Sequence, residues 1–142
     1  WTPQLNRTVT YKNGLPHGSW DVLRADGSVE AKRGFENGQR HGEWVEYDDS
    51  GKQPLQMVNY EKGKLHGELK QWFPSGQQKF VRQYEHGLLA GMSTEWNEEG
   101  KKTVEADFQN GKFHGTVRRW DADGNVFVQQ FEEGRLVSQV KE

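Results

Sequence analysis

The stretch "NGLPHGSW", residues 13–20, decides how this chain is read. It holds two glycines four apart, a histidine against the second, and a tryptophan two further on. A histidine beside glycines serves in catalytic turns, metal sites and phosphate cradles, and equally as plain backbone geometry. Recurrence separates these. An aromatic residue, two further residues and a glycine recur at 11–14, 35–38, 60–63, 84–87, 108–111 and 131–134, at spacings of 24, 25, 24, 24 and 23 residues. In the first five segments a second glycine follows four residues on: Gly18, Gly42, Gly67, Gly91 and Gly115. Nine residues later comes a third: Gly27, Gly51, Gly76, Gly100 and Gly124. Only Gly34 of the 17 glycines lies outside these slots. A fixed period of this length is the signature of a repeat architecture.

The histidine follows from the repeat. His17, His41, His66 and His114 occupy the slot before the second glycine, and the fourth repeat has Ala90 there. A catalytic or metal-binding residue is singular or clustered, whereas this one recurs once per repeat and one repeat does without it. The slot is therefore structural, a ring that packs or hydrogen-bonds at a turn. His86 stands in a turn position and is expected to be exposed.

Each repeat predicts a β-hairpin. Asp26-Gly27, Ser50-Gly51, Ser75-Gly76, Glu99-Gly100 and Asp123-Gly124 are turn pairs, since glycine takes positive φ at little cost. Short strands flank them, such as 43–47 and 103–108, alternating with period two. The linker between first and second glycines carries the chain into the next hairpin. The expected fold is all-β: an elongated single-layer stack of antiparallel β-hairpins in one domain, 1–142. Repeats of 23–25 residues cover 11–34, 35–59, 60–83, 84–107 and 108–130. Residues 1–10 read as a partial N-terminal repeat, and 131–142 as a degenerate C-terminal cap that loses the pattern at Ser138.

The recurring motif is Tyr/Phe-x-x-Gly-x-x-His-Gly-x-Trp-x-x-Tyr-x-x-x-Gly. "YKNGLPHGSW", "FENGQRHGEWVEY" and "YEKGKLHGE" match it closely. This pattern resembles the MORN repeat family in its bacterial variant form, over about residues 11–136. Repeats three to five depart at the early Trp slot, with Leu69, Ser93 and Val117. The resemblance implies interaction modules, often antitoxin or immunity components beside toxins, or envelope proteins. It implies a bacterial setting, periplasmic or at the cell envelope, or else cytoplasmic. Some MORN proteins are linked to phospholipids, which makes a membrane-associated scaffold the rival reading.

Composition bounds the chemistry. Only 32% of the 142 residues are hydrophobic, too few for a compact globule, yet aromatics reach 12% with 6 Trp. That balance suits a thin fold in which each ring covers local surface. A net charge of −2 offers no basic footprint for nucleic acid and weakens any attraction to anionic lipid. Without cysteine there is no disulfide, zinc–thiolate site or thiol nucleophile. No apolar run approaches the ~18 residues of a membrane helix. The chain begins at Trp1 rather than Met, so a removed upstream segment is expected. There is no Gly-x-Ser-x-Gly elbow, His-Glu-x-x-His or phosphate-binding loop, and the acids scatter through turns and strands. The reading is non-enzymatic, with no catalytic residue, cofactor or metal.

The surface carries the functional expectation. Five residues after the second glycine stand Leu23, Tyr47, Trp72, Trp96 and Trp120; two after it stand Trp20, Trp44, Leu69, Ser93 and Val117. Strand alternation puts the two sets on opposite faces. One face gains rings toward the C-terminus while the other loses them. Together with the repeat-opening aromatics, these rings are expected to make most of the core. Packing alone gives no reason for the gradient. A protein partner, a toxin or effector among the candidates, is therefore expected to contact Tyr47, Trp72, Trp96 and Trp120, with Glu95 and Arg118 as charged neighbours. Sugar stacking on a solvent-open Trp72, Trp96, Trp120 row is the remaining alternative.

Overall fold

The tight turn of each repeat lies at the first glycine. In the computed structural model, which describes residues 9–142, Asn37 and Gly38 take φ of 48° and 81°. Left-handed backbone at both central residues is what a two-residue type I′ hairpin turn requires, and its twist matches that of the flanking strands. Phe35 faces Arg40 and Glu36 faces Gln39 across it. The same left-handed pair recurs at Asn13, Lys62, His86, Asn110 and Glu133, each followed by its glycine.

The sequence-expected turns at Asp26-Gly27 and its equivalents are present, but as longer loops. The Arg24 N–H donates to the Ser28 carbonyl at 2.8 Å, and the Gly27 N–H closes an inner turn on the Arg24 carbonyl at 2.9 Å. The chain therefore meanders continuously, with a tight turn at one edge and a wider loop at the other. Every glycine except Gly34 has positive φ, which accounts for the slots that hold them.

The strands follow from these turns. β1 (Tyr11–Lys12) and β2 (Leu15–Pro16) form a minimal hairpin of their own. Then come β3 (Gly18–Leu23), β4 (Val29–Glu36), β5 (Gln39–Arg40), β6 (Gly42–Tyr47), β7 (Pro54–Glu61) and β8 (Lys64–Trp72). β9 (Gln78–Glu85), β10 (Leu88–Leu89), β11 (Gly91–Trp96), β12 (Lys102–Gln109), β13 (Lys112–Trp120), β14 (Val126–Glu132) and β15 (Arg135–Lys141) complete the described chain. From β3 to β15 they form one antiparallel sheet in strictly sequential order, with β5 and β10 as side arms pairing β4 and β9. The described residues contain no helix, and the fold is all-β as expected. The partial repeat expected at 1–10 falls largely outside the described residues.

The irregular spacings have local causes. A bulge sits just after the loop of each of the first four repeats; in the first, Val22 faces Ala31 and Leu23 faces Val29, so Glu30 is extra. The loop after Tyr47 runs from Asp48 to Gln53, one residue longer than from Arg24 to Ser28, which gives the 25-residue period. The last repeat lacks the bulge, with Arg119 facing Phe127 and Trp120 facing Val126, which gives the 23.

The His-Gly step is also a bulge. Val58 faces Leu69 and Tyr60 faces Leu65, so His66, Gly67 and Glu68 stand against Asn59 alone. The bulge lifts the histidine toward the next repeat. His66 Nδ1 accepts the His86 N–H at 3.3 Å, and His17 Nδ1 accepts the Asn37 N–H at 3.4 Å. Both donors are the left-handed residue of the following turn. At His17 and His66 the slot thus joins consecutive repeats, and His86 is exposed. Gly34 stands at this position in the first repeat, where an added Cβ would meet the His41 carbonyl oxygen at 2.2 Å.

The core is smaller than the rings led us to expect. The fully buried side chains are Ala31, Val45, Val58, Ala106 and Val117, with Ser93 as the buried polar one. A single sheet has no second layer to cover a large ring. Only short side chains at strand centres lie wholly beneath their neighbours, and the aromatics are half-buried around them.

Two outcomes follow. Deleting residues 60–83, one whole repeat, leaves a shorter β-sheet protein with a lower melting temperature by circular dichroism, since stability is carried by neighbouring repeats; collapse to an unfolded chain would refute this. Gly34→Ala costs ~2 kcal/mol in urea unfolding through the forced contact with the His41 carbonyl, whereas His66→Ala costs about 1 kcal/mol for its hydrogen bond.

Candidate interaction surface

The two faces of the sheet differ in how their rings are used. On one face Trp20 stacks on Phe35 with centroids 4.9 Å apart and planes 3° from parallel. The row continues from Phe35 to Trp44 at 5.3 Å and from Trp44 to Tyr60 at 5.5 Å. Arg33 and Arg40 lie over the Trp44 ring at 4.7 and 4.9 Å, within cation–π range. The Trp44 Nε1–H donates to the Gly34 carbonyl at 2.8 Å, so this indole stitches the His41-Gly42 bulge. Toward the C-terminus the row resumes as Phe108, Phe113 and Phe131 at 4.8 and 5.0 Å.

Tyr47, Trp72, Trp96 and Trp120 occupy the other face, as strand alternation requires. Each is the last residue of its strand, beside the wide loop. All four are half-buried. Two strands separate successive members, roughly 10 Å at 4.8 Å per strand. Among the described residues none of the four enters a ring–ring pair. They form a line of separate rungs along one edge. Arg118 is exposed on the same face, directly opposite Glu105. Glu95 lies on the opposite face, where the Arg82 guanidinium holds it at 2.9 Å. The six expected contact residues are thus split, five on one side and Glu95 on the other.

Sequence reasoning missed two matched ion pairs. Arg33–Glu46 at 2.6 Å and Arg82–Glu95 at 2.9 Å join neighbouring repeats on the Trp44 face. Their signal was a doubled period: both arginines and both glutamates are two repeats apart. Among the described residues no group of three or more His, Asp or Glu is placed to hold a metal ion.

The loops after Tyr47, Trp96 and Trp120 are pinned by their first residue, whereas the loop after Trp72 opens with Phe73 and lacks this anchor. Asp48 Oδ1 accepts from the Ser50 N–H, the Ser50 hydroxyl and the Gln53 N–H. Asp121 does the same for the Asp123 and Asn125 amides, with the Asn125 side chain on its other oxygen. Asn97 repeats the geometry without charge, accepting from Glu99 and Lys101. The Ser50 hydroxyl beside Asp48, and the Asn125 side chain beside Asp121, hold both carboxyls below the ordinary aspartate value.

Comparison with known proteins returns one family: residues 40–52 match the model described as MORN repeat variant. The matched stretch holds the His41-Gly42 bulge, Trp44, Tyr47 and the Asp48 loop. Repeats of this description are typically binding or scaffolding units and non-catalytic. No curated protein matches the chain.

The loop carboxyls generate a pH prediction. A carboxyl held below its unfolded value, about 3.9 for Asp, stabilises the fold above that value and releases the stabilisation as pH falls through the lowered folded value. Protection of the Ser50 and Asp123 amides against hydrogen exchange, corrected for intrinsic rates, therefore falls in acid below pH 4. The Glu99 amide, held by uncharged Asn97, keeps its protection. Asp48→Asn abolishes the pH dependence at Ser50 while preserving the loop, and loss of protection at Glu99 in parallel would refute the assignment.

Proposed function

We propose that this chain is a non-enzymatic protein-binding module whose working surface is the edge bearing Tyr47, Trp72, Trp96 and Trp120. The observation that supports this reading is the placement of those rings. They lie beside ordered loops, half-buried and unpaired with one another, so each is held by its strand while part of it is free to meet a partner. Aromatic rings fixed in this way give large contact area at low entropic cost, as interface hot spots do. Arg118 on the same face supplies a charged neighbour.

The partner we propose is a bacterial toxin or effector, whose active site the extended sheet covers by steric blockade. The resemblance to bacterial variant repeats supports that choice, as does the long, regular, non-catalytic surface. Such a pair would meet at the cell envelope or in the cytoplasm. The net charge of −2 disfavours the lipid-binding reading.

The partner is identified by affinity purification from the source cells and mass spectrometry, and its binding is then measured by calorimetry. Trp96→Ala costs ~2 kcal/mol or more of affinity while the protein stays folded. Trp72→Ala and Trp120→Ala have smaller effects of the same sign. Glu95→Lys, on the opposite face, leaves affinity within twofold. If all three tryptophan variants melt early and their folded fraction binds normally, the row is packing and the binding surface lies elsewhere.

A further inference from the structure

The aromatic row of the Trp44 face stops at Tyr60, and in the repeats that follow the tryptophan slot holds Leu69, Ser93 and Val117, of which Ser93 is the smallest. Trp44 is framed in the second repeat by the Arg33–Glu46 pair, the Tyr60 ring and Val58 beneath. Two repeats on, the same frame is rebuilt. Arg82–Glu95 replaces Arg33–Glu46, Phe108 replaces Tyr60, and Ala106 replaces Val58. The indole itself is missing, because Ser93 stands where Trp44 stands. Phe113 supplies a ring in the fifth repeat, but at the matching position of the fourth there is Leu89. What remains is a hollow of about 330 Å³ lined by Ser93, Arg82, Glu95, Ala106, Phe108 and Arg119 among others.

A second observation concerns the floor of the hollow. Ser93 is only 6% exposed, and its Oγ has no hydrogen-bond partner. A buried hydroxyl without a partner is unfavourable, so this slot is packed less favourably than one holding an apolar side chain. The rim adds electrostatic character. Arg82 and Arg119 contribute two guanidiniums against the single carboxylate of Glu95, a net positive setting that favours the negative face of an electron-rich ring.

We infer that this hollow is a socket for one tryptophan side chain projecting from a protein partner. The inference rests on the protein-binding reading above and names the anchor on the opposite face. The incoming indole would fill the place that Trp44 fills in the second repeat, bounded by the Arg82–Glu95 pair and edge-on to Phe108. Its N–H would donate to the Gln83 carbonyl, which stands two repeats on from the Gly34 carbonyl that serves Trp44. Phenylalanine fits the space but brings no donor, and an acidic residue beside the anchor complements Arg119.

The test uses small probes, so it is independent of any partner. N-acetyl-L-tryptophanamide is titrated into the whole chain and followed by methyl NMR. Saturable shifts are expected at Leu89, Val104 and Ala106, and none at Ala31 and Val58 around the occupied slot. N-acetyl-L-phenylalaninamide, which lacks the N–H donor, binds about fivefold more weakly, the loss of one hydrogen bond, and Ser93→Ala leaves both affinities within twofold. Ser93→Trp, the residue the slot holds in the first two repeats, abolishes the shifts and raises the melting temperature. Should it fold poorly, Ser93→Leu, after Leu69 of the third repeat, is the second filler. No saturable shift in the wild type, shifts that persist in the filled variant, or self-association that only the filled variant loses would each overturn the proposal. The first two leave the protein-binding reading to the Trp96→Ala measurement, so the two failures are distinguishable.

Discussion

Left-handed backbone at regular intervals is the constraint on which everything else in this sheet depends. The pair Asn37-Gly38 reverses the chain in two residues with the twist the strands need, and the histidine-glycine bulge a few residues later realigns the register. Asn37, Asn13 and Asn110 take the left-handed conformation readily, whereas Lys62, His86 and Glu133 bear a cost of order 1 kcal/mol in the same position. At His86 a histidine offsets part of that cost. Its ring nitrogen accepts the N–H of the left-handed residue one repeat on, as His66 does for His86. A bulge in one repeat therefore helps hold the turn of the next, which makes the repeat a cooperative unit rather than an isolated hairpin.

Single-layer construction follows from the same geometry and limits what can be buried. With no second layer, the side chains that disappear from solvent are as small as Ala31, Ala106 and Val117. Larger groups cover one another in sequence, stacked from Trp20 to Phe35 and then tilted or edge-on through Trp44 to Tyr60. Charged side chains complete the cover, their stems over apolar surface and their heads paired, as with Arg33 over Trp44 and against Glu46. The terminal strand β15 shows the limit of the scheme. Leu136, Val137 and Val140 are about half exposed or more there, on an edge with no following repeat among the described residues.

Much of this was legible because a backbone requirement leaves a residue-specific mark. Glycine at fixed spacing disclosed the repeat, the all-β class and the structural nature of the histidine slot. Alternation correctly divided Trp72, Trp96 and Trp120 from Trp20 and Trp44. It was less able to say which glycine marked the tight turn, since Asp26-Gly27 and Asn37-Gly38 carry the same local signal and differ only in the hydrogen bonds that close them. The core was misjudged because hydrophobic bulk does not imply burial when no opposing layer exists. Gly34 was unexplained because its reason is a carbonyl oxygen seven residues away in sequence. The Ser93 hollow escaped notice for a different reason: serine carries no signal of its own, and only the frame rebuilt around it shows that an indole is absent.

Repetition turns that last point into a physical comparison rather than an impression. In most proteins a cavity beside a buried hydroxyl has no internal reference. Here the second repeat shows what the fourth would look like if packing alone were optimised. The slot accepts tryptophan, the neighbouring arginine reaches the ring face, and a backbone carbonyl takes the indole proton. The fourth repeat keeps the arginine and its glutamate in place yet substitutes Leu89 for Arg40, Ala90 for His41 and Ser93 for Trp44, within five residues. Arg82 keeps a ring beneath it, lying 4.1 Å over Phe80, so its pair with Glu95 stays in place without an indole at position 93. The fourth repeat therefore keeps the charged and aromatic walls of the slot while the slot itself is unfilled, and local rules that fail while their surroundings hold are characteristic of working sites.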